Sequence, residues 1–393
     1  MRAPRDYPQR MKPRSCLLAA VAALSLSSTA LADVVLQGDG ELTLAAPSAG
    51  ADLWATPEEL ARISGFELKP QGLCLQEICV PVPPAGDAKL VQREAAAVRV
   101  NAAELARRLG QGMAHDEERR VWSFGPVPVT RRAYLERAQA PDFTLRDRSG
   151  REVRLADFRG KKVVLVVWAS WCACREDLPV WEKLHRELGP KGLEIVSIAE
   201  DSEGVVAAAP HIETAEATHT ALIDPTHSVT AAYRLVNVPT AVWIDESGTI
   251  VRLDQGAYPE PRTIVGVDVG KAGYADALRD WVERGPQSPH VRTPEQLAAA
   301  QAPRTPGAEI ADQEFRLGSY FHARGDSGRA TLHWERAAEL APDNWNYRRQ
   351  EWSDSAFEST VKFLGRALGR GMRGIPYYGA IDMPEAPAPK SEP

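Results

Sequence analysis

The stretch Lys161–Pro179, KKVVLVVWASWCACREDLP, decides the fold of this 393-residue chain. It begins with an apolar, β-branched run, which predicts a buried central strand. Cys172 and Cys174 follow directly, and a helix is predicted from the cysteines to about Leu188. A cysteine beside a helix N-terminus is near unpaired N–H groups, which favour the nucleophilic thiolate. We therefore predict that Cys172 is the exposed attacking sulfur and that Cys174 resolves the mixed disulfide.

Strand and helix patterns alternate on both sides of this stretch, from residue 139 to residue 285. A hairpin turning at Ser149-Gly150 precedes it, and the segments LEIVSIA, TAVWID and TIVRLDQ predict further strands. Helices are predicted between these strands and at the end of the region. This order predicts an α/β domain whose mixed sheet is flanked by helices.

The segment WASWCACREDLP resembles the TlpA/ResA-like thioredoxins (redoxins) of the bacterial cell envelope, together with RSGREVRLADFRGKKVVL before it and VNVPTAVWIDESGTIVR after it. The resemblance covers residues 139–285. It implies a thioredoxin-like fold and a thiol–disulfide oxidoreductase that needs no cofactor or metal. It also implies that the substrates are exported, cysteine-containing proteins and that a second thiol/disulfide protein exchanges electrons with the pair.

Further site residues follow from the same resemblance. Val238, Pro239 and Thr240 match the family segment whose proline is cis and lies against the sulfurs, where a peptide strand could pair. Asp177 stands where the family usually has a glutamate that tunes cysteine acidity. Trp171 is predicted to offer an apolar docking surface for the substrate.

The spacing of the cysteines departs from the family's CxxC motif by one missing residue. In a regular helix, residues two apart point about 200° away from each other, so a disulfide requires Cys172 to lie outside helical geometry. Strain in so short a link predicts a pair that is more easily reduced than a CxxC disulfide.

The CxC spacing leaves two alternatives open. Two thiolates suit Cu(I), so the chain could be a thioredoxin-like copper chaperone with His211, His219 or His227 as a further ligand. It could also be an interaction scaffold that has lost redox activity. A peroxidase is disfavoured, because Ala169 stands where peroxiredoxins place threonine or serine.

Residues 1–32 have the pattern of an export signal. Arg10, Lys12 and Arg14 precede the apolar run Leu17–Leu24, and Ala30-Leu31-Ala32 is typical of a cleavage site. We therefore predict a periplasmic or envelope protein that is soluble after cleavage near Ala32. No later segment is apolar enough for a membrane span, and the net charge of −6 gives no indication of nucleic-acid binding.

Residues 33–135 predict a small α+β domain, which resembles the copper amine oxidase N-terminal-like domain over Val100–Gly125. Its two helices are predicted to begin after Thr56 and Asn101. Cys74 and Cys79 are close in LCLQEICV, which favours a structural disulfide over a second redox site.

The C-terminal region 307–370 is predicted to be helical. The spacing of Leu317, Gly318, Phe321, Ala330, Trp334, Ala337 and Pro342 resembles one tetratricopeptide repeat, which implies a protein partner. One repeat cannot form a solenoid, so it must pack against neighbouring elements. The tail 384–393 is predicted to be disordered.

Overall fold

A computed structural model describes residues 32–37, 40–45, 48, 50–83, 86–94, 97–264, 267–301 and 305–352, and part of residues 361–383. The predicted export signal up to residue 31 and the predicted disordered tail 384–393 lie outside the described residues. Among the described residues, no helix has both the length and the apolarity that a membrane span requires.

The N-terminal region is a small α+β unit built from three short sheets. Their strand orders are β2-β1-β10-β9, β3-β8-β7 and β4-β5-β6. The elements are β1 (Val34–Gln37), β2 (Gly40–Thr43), β3 (Trp54–Ala55), α1 (Pro57–Ser64), β4 (Glu67–Lys69), β5 (Gly72–Leu75), β6 (Ile78–Val80), β7 (Val91–Glu94), β8 (Ala97–Asn101), α2 (Ala102–Leu109), β9 (Met113–Asp116), β10 (Val121–Phe124) and α3 (Arg132–Arg137).

The two predicted helices of this unit begin where their capping residues indicate. The Thr56 hydroxyl accepts the Glu59 N–H at 3.2 Å, and the Glu59 carboxylate accepts the Thr56 N–H at 2.8 Å, which forms a capping box. The Asn101 side chain caps α2 in the same position, accepting the Glu104 N–H at 3.1 Å. These contacts satisfy N–H groups that have no partner within the helix.

The central region is a seven-stranded mixed sheet in the order β12-β11-β15-β14-β13-β16-β17, with helices on its faces. Its elements are β11 (Thr144–Asp147), β12 (Glu152–Arg154), β13 (Lys162–Trp168), α4 (Leu178–Leu188), β14 (Leu193–Ala199), α5 (Val205–Thr214), β15 (Thr220–Ile223), α6 (Ser228–Tyr233), β16 (Thr240–Ile244), β17 (Ile250–Gln255), the separate hairpin β18 (Arg262–Ile264) and β19 (Val267–Val269), and α7 (Tyr274–Arg284). The α/β fold class is confirmed.

Strand β13 is buried on both faces, as its continuous apolar sequence predicts. It pairs in parallel with β14 and antiparallel with β16. Val163, Leu165 and Val167 point into one hydrophobic cluster, whereas Val164 and Val166 point into another on the opposite face. The end of β13 therefore lies between two packed layers, and it fixes where the cysteines that follow it are placed.

The C-terminal region consists of α8 (Pro294–Ala300), α9 (Pro306–His322), α10 (Ser327–Leu340) and α11 (Trp345–Glu351). Helices α9 and α10 form a hairpin in which a Cβ on Gly318 would overlap the Trp334 ring. The hairpin packs on the N-terminal unit, where Leu36 and Val121 share a hydrophobic cluster with Phe315. The hairpin also contacts the central region, where the rings of Phe315 and His227 are 4.4 Å apart. The sequence predicts packing on neighbouring elements but does not indicate the N-terminal unit, and residues 353–360 lie outside the described part.

Candidate active site at the end of strand β13

Cys172 and Cys174 form a disulfide immediately after β13, with their Cα atoms 5.1 Å apart. Cys172 has extended backbone angles, φ −94° and ψ 139°, and precedes a 3-10 helix at Ala173–Asp177 that continues into α4. The prediction that Cys172 lies outside helical geometry is therefore confirmed. The Cys172 sulfur also accepts the Cys174 N–H at 3.2 Å, so it lies at the N-terminal end of this helical turn.

The prediction that Cys172 is the exposed sulfur is wrong. Cys172 is only 1% exposed and Cys174 only 2%. Residues from the C-terminal region lie against the segments next to both cysteines, and nothing in the sequence pattern around the cysteines predicts these contacts.

The predicted segment Val238-Pro239-Thr240 lies against the disulfide, and its Val238-Pro239 peptide bond is cis. The Val238 carbonyl oxygen is 3.8 Å from the Cys172 sulfur. The side chains of Val238 and Thr240 are buried, and the Thr240 hydroxyl donates to the Asn237 carbonyl at 2.7 Å. This segment therefore presents its backbone to the sulfur, rather than its side chains.

Asp177 is buried at the end of the 3-10 helix. Residues i and i+3 of such a helix share a face, so Asp177 lies one turn below Cys174. One carboxylate oxygen pairs with the Arg262 guanidinium, whereas Oδ2 is buried and makes no hydrogen bond within the described part of the chain. Burial raises the pKa of Asp177 to about 7, although Arg262 acts in the opposite direction. The group can therefore gain or lose a proton near neutral pH.

The loop before the cysteines is held by Asp201, which the sequence analysis missed. The Asp201 carboxylate follows β14 and accepts both the Ser170 N–H, at 3.0 Å, and the Ser170 hydroxyl, at 2.6 Å. Burial raises the pKa of Asp201 to about 6, while the bonds from Ser170 lower it. The adjacent parallel strands β13 and β14 bring these residues together, a signal available in the sequence only once the strand order is known.

The two tryptophans of the motif have different surroundings. Trp168 is buried in the core, and its ring meets His211 edge-on at 6.1 Å between ring centroids. Trp171 is half-buried, and its indole N–H donates to the Gln350 side chain at 3.1 Å. The predicted docking surface at Trp171 is therefore in contact with α11.

Three residues from the C-terminal end of the chain also belong to the site. They are Arg349 and Gln350 of α11 and, beyond it, Tyr378, whose hydroxyl donates to the Val238 carbonyl oxygen at 3.0 Å. The repeat-like spacing in this region predicts helices that pack on neighbours. It contains no signal that would direct these side chains to the cysteines.

The histidines considered as copper ligands have different surroundings. His219 is buried and contacts the Glu182 carboxylate at 2.9 Å and the Ser197 hydroxyl at 3.0 Å. The buried His227 ring is 4.4 Å from the ring of Phe315, and neither of its nitrogens makes a hydrogen bond within the described part of the chain. Across the described residues, no group of three or more His, Cys, Asp or Glu side chains could hold a metal ion.

The second cysteine pair is also disulfide-bonded. Cys74 and Cys79 are directly opposite each other in the β5–β6 hairpin, with their Cα atoms 4.0 Å apart. Cys74 is buried and Cys79 is exposed. The predicted staple of a hairpin is therefore present, and its role as a structural disulfide stays a prediction.

Comparisons with known proteins identify the central region. A family model described as the AhpC/TSA family matches residues 137–253. The chain is 40% identical over 126 residues to the thioredoxin-like protein YneN of Bacillus subtilis (strain 168), which covers 31% of this chain and 72% of that protein. It is 34% identical over 118 residues to the thiol–disulfide oxidoreductase ResA of Geobacillus thermodenitrificans (strain NG80-2), covering 30% of this chain and 67% of that protein.

Solved structures are also similar to part of this chain. A thiol:disulfide interchange protein from Bacteroides sp. aligns with a TM-score of 0.31 and 25% identity, over 39% of this chain and 93% of that one.

Proposed function

This chain belongs to the family of thioredoxin-like thiol–disulfide oxidoreductases, and we propose that it exchanges disulfides through the Cys172–Cys174 pair. The observation that carries the proposal is the placement of this disulfide. It lies between the end of β13 and α4, with the Val238 carbonyl oxygen 3.8 Å from the Cys172 sulfur. Copper binding is not favoured, because curated relatives are named thiol–disulfide oxidoreductases.

The proposed reaction starts from the reduced pair. The Cys172 thiolate attacks one sulfur of a substrate disulfide, forms a mixed disulfide and releases the first substrate thiolate. The Cys174 thiolate then attacks the Cys172 sulfur, which forms the Cys172–Cys174 disulfide and releases the second substrate thiolate. Two electrons pass to the substrate, and its two thiolates take up two protons. A dithiol partner restores the reduced pair by the reverse exchange, so the same steps serve either direction of transfer.

Each remaining site residue has a proposed role in these steps. The Cys172 thiolate is stabilised by the N–H groups of the 3-10 helix, of which Cys174 N–H already points at the sulfur. Asp177 accepts the proton of the Cys174 thiol, a role supported by its buried Oδ2 and its pKa of about 7. Pro239, with Val238 and Thr240, presents backbone to a substrate strand, and Trp171 offers it an apolar contact.

We also propose that the protein is exported and acts on exported proteins that contain cysteines. The basic, apolar and A-x-A pattern of residues 1–32 supports this proposal. The Cys74–Cys79 disulfide supports it as well, because disulfides outside a catalytic pair persist in oxidising compartments. A partner that binds through the helical region 307–370 is proposed from its tetratricopeptide-like spacing.

The proposal is tested by trapping the mixed disulfide. Reduced Cys174→Ser protein mixed with oxidised insulin, as a disulfide-bonded polypeptide, should accumulate a covalent adduct that dithiothreitol releases, because Cys172 can attack but nothing can resolve. The Cys172→Ser/Cys174→Ser variant is the matched control and should form none. If the Cys174→Ser protein forms no more adduct than this control, the pair does not exchange disulfides, and a scaffold role is favoured.

A further inference from the structure

The dithiol site is covered by the chain's own C-terminal end. The cover, here named the C-terminal cap, consists of α11 and residues Tyr377 and Tyr378. It begins where the Trp345 N–H donates to the Val236 carbonyl at 2.7 Å. Cys172 and Cys174 are only 1% and 2% exposed, and Tyr378 packs against the hydrophobic cluster that contains them. A polypeptide disulfide therefore cannot reach either sulfur in this arrangement of the chain.

Helix α11 is hydrogen-bonded to the loop that carries the cysteines and to the segment that follows β14. The Gln350 side-chain oxygen accepts the Trp171 indole N–H at 3.1 Å and the Ser202 backbone N–H at 3.2 Å. Arg349 donates to the Trp171 carbonyl oxygen at 2.8 Å, and its guanidinium lies 4.7 Å from the centre of the Trp171 ring. Trp171, the predicted apolar contact for a substrate, is thus already occupied.

The two tyrosines of the cap occupy the backbone beside Pro239. The Tyr378 hydroxyl donates to the Val238 carbonyl at 3.0 Å, the same oxygen that lies 3.8 Å from the Cys172 sulfur. The Tyr377 carbonyl accepts the Asn237 side-chain amide at 3.2 Å. This carbonyl of Val238 is the acceptor that a substrate strand would need, so the cap and the strand compete for it.

The fit of Tyr378 depends on glycine at position 256. Gly256 follows β17, and a Cβ there would lie 2.7 Å from the Tyr378 ring. The Tyr378 hydroxyl also meets the Tyr258 hydroxyl at 3.0 Å. The ring therefore lies in a formed recess in contact with two chain segments, rather than resting on an exposed surface.

We propose that the C-terminal cap is an intramolecular lid that occupies the substrate position and must be displaced before a polypeptide disulfide can react with Cys172. The inference rests on the proposed function, whose regulation it describes. Arg349 links α11, Trp171 and the hydroxyl of Tyr377, which is 3.3 Å away, so it is the residue that holds the lid. Only molecules with an open lid can bind substrate. The apparent affinity for substrate is therefore the affinity of the open state multiplied by the fraction of molecules that are open.

The lid is tested by the reactivity of Cys172 in the full-length reduced protein. Arg349→Met removes the link, and Tyr378→Phe keeps the ring but removes the bond to Val238. Arg348→Met is the matched control for the first, because Arg348 instead donates to the Ala338 carbonyl. Tyr320→Phe is the control for the second, since its hydroxyl contacts Glu41. Iodoacetamide labelling of Cys172, followed by peptide mass spectrometry, and the rate of insulin reduction are measured for each protein.

Both lid variants should label at Cys172 and reduce insulin about tenfold faster than wild type, while both controls stay within about twofold. Equal labelling rates in wild type and lid variants would overturn the lid. Labelling that accelerates in the controls as well would also overturn it, because the effect would then be general loosening. If the lid variants label faster at Cys172 but no protein reduces insulin, the lid is supported and the proposed function is rejected. Failure of the lid and failure of the proposed function therefore give different results.

Discussion

Ser170 and Asp201 are joined through both the backbone N–H and the hydroxyl of the serine, at 3.0 Å and 2.6 Å from the carboxylate. Ser170 lies two residues before Cys172, and Asp201 comes from the end of the neighbouring strand. Because the Asp201 carboxylate is buried and both of its bonds go to the half-buried Ser170, the pair fixes where the loop carrying the cysteines leaves the sheet. The geometry of the dithiol thus depends on a residue outside the motif.

Asp201→Ala should therefore lower the free energy of unfolding by about 1–3 kcal/mol, because two donors of Ser170 lose their acceptor. Disulfide exchange should slow as well, since the loop is no longer held. Asp201→Asn retains an acceptor oxygen, so it should lose much less stability and much less disulfide-exchange activity. Urea unfolding and insulin reduction measure the two effects. Equal behaviour of the alanine and asparagine variants would show that the bond to Ser170 does not position the loop.

The buried Asp177 carboxyl should make the free energy of unfolding fall as pH rises, because burial raises its pKa. The native protein keeps this carboxyl protonated up to a pKa of about 7, whereas an unfolded chain releases the proton near 3.8. Between these values the native state binds more protons, so the free energy of unfolding falls as pH rises. Compared with Asp177→Asn, the wild type should lose stability from pH 4 to pH 7 by at most about 1.4 kcal/mol per pH unit.

Urea unfolding of the oxidised wild-type and Asp177→Asn proteins at several pH values measures this difference. A difference that stays flat from pH 4 to pH 7 would mean that Asp177 does not titrate in this range.

The Cys74–Cys79 disulfide should stabilise the N-terminal unit without taking part in exchange. Closing so short a loop is worth about 2 kcal/mol by the chain-entropy account. The Cys74→Ser/Cys79→Ser variant should lose about that much stability, and its rate of insulin reduction should stay within about twofold of wild type. A loss of exchange in a variant that remains folded would identify the pair as a second redox site.

The CxC spacing predicts a redox potential less negative than that of thioredoxin, which is about −270 mV. Only Ala173 separates the cysteines, so the ring closed by their disulfide has few bonds in which to relax. Inserting one residue after Ala173 should lower the potential. Redox titration against glutathione, with thiol counting by mass spectrometry, measures both proteins. A wild-type potential as low as that of thioredoxin would contradict the prediction.

Elements that depend on residues close together in the sequence could be predicted. The apolar run of β13, the caps at Thr56 and Asn101, and the segment around Pro239 all lie where their sequences indicate, because each depends on nearby residues. Cys172 was correctly placed outside helical geometry, because the spacing of the two cysteines alone requires it. The mixed sheet of the central region follows from the alternation of strands and helices, although β15 (Thr220–Ile223) was not among the predicted strands.

The contacts that depend on distant parts of the chain could not be predicted. Tyr378 is 140 residues from Val238, and Arg349 is 178 residues from Trp171. Neither residue belongs to a motif, so only the folded chain brings them to the dithiol. The exposure of Cys172 was predicted wrongly for this reason, since local sequence says nothing about which remote segment covers a surface.

In the proposed reaction, Cys172 and Cys174 together transfer two electrons to a disulfide substrate. The transfer is measured by mixing the reduced protein with oxidised insulin, stopping the reaction with acid and counting alkylated thiols peptide by peptide. We expect each insulin disulfide reduced to be matched by one lost pair of thiols, at Cys172 and Cys174, while Cys74 and Cys79 are unchanged. Insulin reduction without loss of those two thiols, or no transfer at all, would contradict it.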